Sequence, residues 1–505
     1  MADSVNRFWQ ETAPGKYERN VDELEQLYTT LAKMHEGTGH TFFAITACVT
    51  LKAPTSNSKS LPQLEAHIEK ALRHSWKQMR YDYPTLTAPV VYDSDTKSCK
   101  KVYQSPQSAS EINDWLEETF KIIDNGQNGQ EFANSDPPVG RFATLYLVTP
   151  PHDYHQSEIT KELVFHSPHD LIDGVGTLLL LDNLIRVAAE AFSTVNTQSE
   201  VLFGDESKNL SPHLRVAASI PSTRNAAQEK KLQEIQSANA YARKDVEILT
   251  LPFNLTPEIG NSTRVAINLS LTDTQAVLER CKALGVTPTH AFHAGIALAL
   301  RDLQTKGQEE RRARYIGYSL INLRKWCKEP YNSPKHAATV YHSASAVSLA
   351  VDVVIPSVEQ SRLASKNSNA FELALNQVRD FYKSWTPDVD FLSMVPFIAT
   401  GKLPPYSPET GPVPPPDRSP SVSLSSMGIL DQIIKPQQGS FKVEDPWVIG
   451  AEYRSALGLF LSTWKGVLCL GAGYNSAYHT KDEVLRFLES VKEIVLAGLD
   501  RKSVV

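Results

Sequence analysis

Apolar, β-branched runs alternate with helical patterns through both halves of the sequence, which predicts an α/β fold with sheets covered by helices. Composition agrees: 41% hydrophobic, 9% aromatic and 21% charged residues describe an ordinary globular chain, not a disordered, collagenous or coiled-coil one. At about 150 residues per domain, 505 residues allow three small domains or two large ones, and no internal repeat is evident.

The elements follow in order. Leu24, Leu27, Leu31 and Met34 recur at helical spacing over 21–34. The run 41–51 (TFFAITACVTL) reads as a strand. Pro62 opens a helix to about Tyr81, with Leu64, Ile68, Leu72, Trp76 and Met79 on one face and Pro84 after its end. Short strands are expected at 88–92 and 101–103, then a helix at 111–122 with Ser108 and Glu111 as capping box. The polar stretch 125–139 reads as turns. Strands at 141–149 and 159–165 lead through HSPHDLIDG (166–174) into an apolar helix, 175–192. That helix carries Leu178 to Leu181, Leu184 and Ile185, so most of its circumference must be covered.

The charged segment 224–245 reads as an interdomain connection. Beyond it come a strand at 263–269, a helix at 273–284 capped by Thr272 and Gln275, and a long apolar helix at 287–303. Strands are expected at 314–323 and 344–354, and mostly helix at 357–385. Residues 402–420 hold eight prolines and read as a surface loop. Strands at 421–430, 457–463 and 467–472 precede a final helix capped by Thr480 and Glu483.

Charge and cysteine usage exclude several function classes. Lys and Arg number 51 against 57 Asp and Glu, a net charge of −6, which gives no sign of a nucleic-acid or polybasic membrane binder. The five cysteines form no CxxC pair and no disulfide framework, so a reduced compartment is expected. The first residues lack the apolar core of a secretory signal, and the longest apolar run, 175–185, is shorter than the ~20 residues of a spanning helix. A soluble, cytoplasmic protein is the expectation.

The candidate centre is His169, with Asp173 and Gly174 completing HxxxDG between a strand and a buried helix. A histidine there is held rigidly on one side and open on the other, and its near-neutral pKa suits it to accept a hydroxyl proton. Asp173 can orient the loop by pairing with a cation or backbone donors. Gly174 permits the close approach that a turn into the helix needs. The same spacing also fits a loop histidine without chemistry and an aspartate that only caps the helix. Other patterns carry less. Gly471 and Gly473 make no full dinucleotide fingerprint. His166, His169 and Asp170 lack a distant third partner, so no metal is assigned. His290 and His293 read as core or half-buried histidines. No GxSxG elbow is present.

With this motif, the sequence resembles the acyltransferase superfamily that includes chloramphenicol acetyltransferase, plant BAHD acyltransferases and the condensation domains of nonribosomal peptide synthetases. The resemblance extends over nearly the whole chain: ALRHSWKQMRYDYP (71–84), GVTPTHAFHA (285–294), YSLINLR (318–324) and SSMG (425–428) stand in the expected order. Among its branches the sequence most resembles the fungal trichothecene 15-O-acetyltransferases.

The resemblance implies two similar domains, each a mostly antiparallel or mixed sheet flanked by helices, with a strand crossing between them. The division expected is 1–225, a connection at 226–250, and 251–505. It further implies that His169 is a general base in an interdomain channel and that Asp173 is structural, paired with an arginine for which Arg324 is the candidate. Ser425 or Ser426 would support the oxyanion. The implied activity is transfer of an acyl group, most simply acetyl, from acyl-CoA as a diffusing cosubstrate to a small apolar alcohol such as a terpenoid, by a monomer with no resident cofactor.

Two departures matter. Pro168 precedes His169, so the paired histidines of condensation domains are absent, and the plant-type DFGWG element is replaced by SSMGILD (425–431). An amide-forming or carrier-protein-dependent enzyme, and a binding protein without turnover, are the alternatives on the same scaffold.

Overall fold

The computed structural model describes residues 7–55, 60–151, 158–194, 200–255, 260–363, 369–385, 387–401, 403–415 and 421–500. Among them, the first half is organised on a six-stranded sheet. Its strands, edge to edge, are Gln437–Gln438, Phe441–Gly450, Ile45–Pro54, Glu158–Ser167, Thr144–Val148 and Phe120–Ile123. Neighbouring strands run antiparallel except the last pair, which is parallel. The helices Leu61–Asp82 and Gly174–Ser193 cover this sheet. Their residues Leu64, Ile68, Leu72, Trp76, Leu180 and Leu184 share one apolar core with Val49, Leu163 and Phe165.

The second half has a four-stranded mixed sheet, Ser262–Asn268, Val467–Asn475, Leu457–Trp464 and Val422–Ile429. Beside it lies a smaller sheet of Leu349–Ile355, Arg311–Gly317 and Glu247–Ile248. The helices Pro288–Asp302 and Lys481–Asp500 close its core through Ile296, Val491 and Val495 against Leu459 and Leu470. Mixed and antiparallel sheets flanked by helices are the architecture that the resemblance implied.

The crossover is the strand Phe441–Gly450. It leaves the second half and pairs with Ile45–Pro54, from Lys442 opposite Lys52 to Gly450 opposite Ile45. The ladder is interrupted between Glu444 and Trp447, where Asp445 has a φ of 45°. This bulge accommodates Pro446, which has no N–H to give to a ladder.

Several local expectations are corrected. The helix expected over 111–122 ends at Thr119, because Phe120–Ile123 leaves it to join the sheet in parallel with Thr144–Val148. Glu111 does not close a capping box there: its carboxylate accepts from the Gln107 N–H, while Ser108 accepts from the Glu111 N–H. The polar stretch 125–139 contains a helix, Gly129–Asn134. The later helix spans Leu271–Ala283 and is capped by Ser270, whose hydroxyl accepts from Asp273 N–H at 3.0 Å, so Thr272 and Gln275 are not its caps. The strand expected at 467–472 runs on to Asn475 and takes in both Gly471 and Gly473. The 224–245 segment contains a helix, Ala226–Tyr241, that buries Leu232 alone. Of the proline-rich stretch, 403–415 has neither helix nor strand, and 402 and 416–420 lie outside the described residues.

Candidate active site

His169 lies in the turn between the strand Glu158–Ser167 and the helix Gly174–Ser193. The turn is held from behind by Asp173, which is 2% exposed and performs two tasks. It caps the helix, with Oδ1 accepting from Gly176 N–H at 2.7 Å. It also receives Arg324 Nη1 on both oxygens, at 3.0 and 2.9 Å, and the Tyr341 N–H on Oδ2 at 2.8 Å. The Asp173 N–H in turn donates to the Thr339 carbonyl at 3.1 Å. Burial opposes ionisation of this carboxyl, but Arg324, His342 and the Gly176 N–H outweigh it and hold it below the usual carboxylate range.

The glycine requirement is displaced from its expected position. A methyl built on Gly174 would meet only Met427 and Val448, at 3.5 Å and beyond, in ordinary contact. One built on Gly176 would stand 2.2 Å from the Ala337 carbonyl and 2.7 Å from Arg324 Nη2. The residue that admits the arginine is therefore Gly176, because the second half presses its backbone against the first turn of the helix there.

His169 meets two residues that local sequence patterns did not single out. Its ring stacks on Tyr28, with centroids 3.7 Å apart and planes at 10°. Tyr28 belongs to the helix Glu23–His35, and its hydroxyl bonds to His342 Nε2 at 2.8 Å. His342 starts the short strand His342–Ala344, with its centroid 5.5 Å from that of His169. Burial lowers the His169 imidazole to about 3, with His342 adding to the effect, so the ring is neutral near pH 7. Burial likewise lowers His342 and raises the Tyr28 phenol well above its ordinary value. His169 Nδ1 is sealed without a hydrogen-bond partner, whereas Nε2 is not among the sealed, unpartnered atoms.

A second charged cluster holds the other flank of the turn. Lys101, 1% exposed, donates from Nζ to the Asp170 carbonyl at 2.5 Å and lies 3.3 Å from Glu25 Oε1. Both Glu25 oxygens also accept from Arg19, at 2.7 Å. Glu25 and Tyr28 are one turn apart on one helix, so the cluster that grips the histidine turn also fixes the ring stacked on it.

Ser425 and Ser426 lie on the strand Val422–Ile429, and their hydrogen bonds lead elsewhere. Ser425 Oγ approaches Met427 Sδ at 3.6 Å, and exposed Ser426 bonds Thr289 Oγ1 at 2.9 Å. His293 is fully buried with Nδ1 3.3 Å from Tyr315 Oη, while His290 Nδ1 accepts from Thr287 N–H at 3.3 Å.

Between the crossover strand and the second sheet is a polar cavity of about 320 Å³, lined by Glu162, Arg264, Asp445, Trp447, Ser462 and Cys469 among others. A smaller cavity shares Arg264 and Trp447 with it and reaches Met427 and Val448, the two side chains beside Gly174. An apolar hollow of about 350 Å³, lined by Leu251, Phe253, Leu303 and Phe487 among others, contains none of these residues.

Residues 35–394 match the family model described as 15-O-acetyltransferase Tri3. The chain is 24% identical over 497 residues to O-acetyltransferase pigM of Monascus ruber, covering 96% of this chain and 86% of that protein. It is 22% identical over 475 residues to trichothecene 15-O-acetyltransferase TRI3 of Fusarium sporotrichioides, covering 88% of each. The solved structure of that TRI3 enzyme matches with a TM-score of 0.75 at 20% identity, over 99% of this chain and 98% of that one. The first condensation domain of the CDA synthetase matches with a TM-score of 0.57 at 13% identity, over 97% of each, and so shares the fold. With the family match spanning well over half of its length, the chain belongs to the 15-O-acetyltransferase Tri3 family of acetyltransferases.

Proposed function

We propose that the protein transfers an acyl group, most simply acetyl, from acyl-CoA to a hydroxyl of a fungal secondary metabolite. The observation that supports this reading is the His169 turn: a neutral imidazole with one nitrogen sealed, backed by a buried ion pair that occupies the Asp173 carboxylate. Relatives in fungal metabolism support it, including an azaphilone biosynthesis cluster protein of Aspergillus terreus, 24% identical over 350 residues.

In this reading His169 Nε2 takes the proton of the acceptor hydroxyl as its oxygen attacks the thioester carbonyl. An alcohol is a poor nucleophile until that proton departs. The tetrahedral intermediate collapses with cleavage of the C–S bond, and the imidazolium returns the proton to the thiolate. Neutrality of His169 in the resting state suits the first step. Asp173 is structural. Acyl-CoA is a cosubstrate and not a resident group, and the acceptor is a small, largely apolar alcohol of terpenoid or polyketide type. Ser425 and Ser426 remain candidates for the oxyanion once substrate is bound. The enzyme works as a cytoplasmic monomer. Among the described residues no single helix is long and apolar enough to cross a membrane.

The test is thiol release from acetyl-CoA in the presence of a panel of terpenoid and polyketide alcohols, with ester formation followed by mass spectrometry. The wild-type chain is expected to acetylate at least one panel member. His169→Ala is expected to lower that rate by about a thousandfold while leaving the fold intact. Undiminished transfer by that variant would overturn the assignment of the base.

A further inference from the structure

The Tyr28–His342 hydrogen bond fixes more than the position of a ring. Tyr28 is buried, and His342 Nε2 is the one partner of its hydroxyl among the described residues; donation by the imidazole would leave the phenol proton without an acceptor, which favours the phenol as the donor. Nε2 of His342 must then be the accepting nitrogen, at 2.8 Å. A neutral imidazole carries one proton, so in His342 that proton sits on Nδ1. Among the described residues Nδ1 has no hydrogen-bond partner, yet it is absent from the sealed, unsatisfied atoms, which include Nδ1 of His169. It is thus a donor that is not sealed, on a ring whose centroid is 5.5 Å from that of the proposed base.

We propose that His342 is a second acceptor contact, donating Nδ1–H to an oxygen that neighbours the hydroxyl being acylated. The site then selects alcohols that carry a second oxygen function, a diol or a hydroxy-ketone, over simple alcohols. Tyr28 is a positioning residue in this arrangement. It sets the His342 tautomer through its hydroxyl and the His169 orientation through its ring. The inference rests on the function proposed above and adds a substrate class to it.

The experiment compares two probes of similar skeleton, the mono-alcohol menthol and the diol p-menthane-3,8-diol, with acetyl-CoA as donor. The wild-type chain should favour the diol by about 10-fold or more in kcat/KM, since the bound mono-alcohol displaces water from the Nδ1–H and offers it no partner in return. His342→Gln can still accept from Tyr28 but has no group at the Nδ1 position, and should lose that preference chiefly through the diol. His342→Asn places an amide N–H near the Nδ1 position and should retain much of it. Tyr28→Phe keeps the stacked ring, releases the tautomer, and should reduce the preference without abolishing transfer.

A second measurement needs no turnover. Nitrogen-15 spectra of histidine-labelled protein should show His342 protonated on Nδ1, with its resonance shifted by the diol and not by menthol. A His342 found in the Nε2–H form, or His342→Gln keeping the wild-type preference while His169→Ala is inactive, would overturn this inference alone. Full activity of His169→Ala would instead remove the function on which it rests.

Discussion

Arg324 and Asp173 lie 151 residues apart in sequence and meet at 2.9 Å in a buried ion pair that joins the second half of the chain to the helix cap behind His169. Each partner is largely enclosed, Arg324 being 6% and Asp173 2% exposed. The pair is completed by the Tyr341 and Gly176 N–H groups on one side and by carbonyls of Ala337 and Thr339 on the other. A buried pair of this kind is no great source of stability in itself, but breaking it is costly.

Asp173→Ala should therefore destabilise the fold by about 3–5 kcal/mol in denaturant unfolding, because it leaves the Arg324 charge buried and removes a helix cap. Asp173→Ala combined with Arg324→Met should cost clearly less than the sum of the single changes, as a double-mutant cycle would record. Additive costs would contradict the coupling.

Gly176 and Gly174 should respond in opposite ways to the same change. Gly176→Ala forces a methyl to within 2.2 Å of the Ala337 carbonyl and should lower stability by about 2 kcal/mol or more. Gly174→Ala, with ordinary contacts, should stay within about 1 kcal/mol of the parent. Thermal melts of the two variants decide it.

Acid should unfold this protein through its buried histidines. His35, His166 and His336 are lowered to about 4, and His169, His213 and His293 to about 3, with burial the leading cause in each. A histidine whose folded pKa lies below its unfolded value takes up its proton more readily when unfolded. Stability should thus be full above about pH 6.5 and fall steadily as pH drops from there toward 4. With His169 neutral throughout that window, kcat/KM should stay flat until unfolding begins. Parallel rate and circular dichroism profiles check this, and a rate that titrates near 6.5 with the fold unchanged would contradict it.

Asn134 should prove to be a stitch between the halves. Its amide accepts from the Arg264 N–H at 2.8 Å and donates to the Arg264 carbonyl at 3.0 Å, and Gln130 Oε1 one turn earlier receives the guanidinium at 2.7 Å. Asn134→Ala leaves both backbone groups of Arg264 without that partner and should cost about 1–3 kcal/mol in urea unfolding.

Local sequence determined the parts of this protein that need only local physics. The helix Leu61–Asp82 shows its apolar stripe, and Thr480 with Glu483 caps the final helix through two side-chain bonds to backbone N–H groups, at 2.8 and 3.3 Å. Strand–helix alternation gave the α/β class, and HxxxDG with its flanking strand and helix marked the turn that carries His169.

The crossover strand was invisible by pattern, since Glu444, Asp445 and Pro446 interrupt its apolar run, and only pairing with Ile45–Pro54 makes it a strand. The helix Val389–Thr400 escaped for a similar reason: Pro396 stands inside it, and its companions Leu24, Leu323 and Tyr341 come from distant segments. Tyr28 and His342, 314 positions apart, reached the site by tertiary packing alone. A stacked ring or a buried ion pair is a contact between surfaces, and no periodicity within either segment encodes its partner. The sequence thus specified the turn and its histidine, and the docking of the two halves decided which of its nitrogens is sealed, which carboxylate is held in an ion pair, and which glycine must have no side chain.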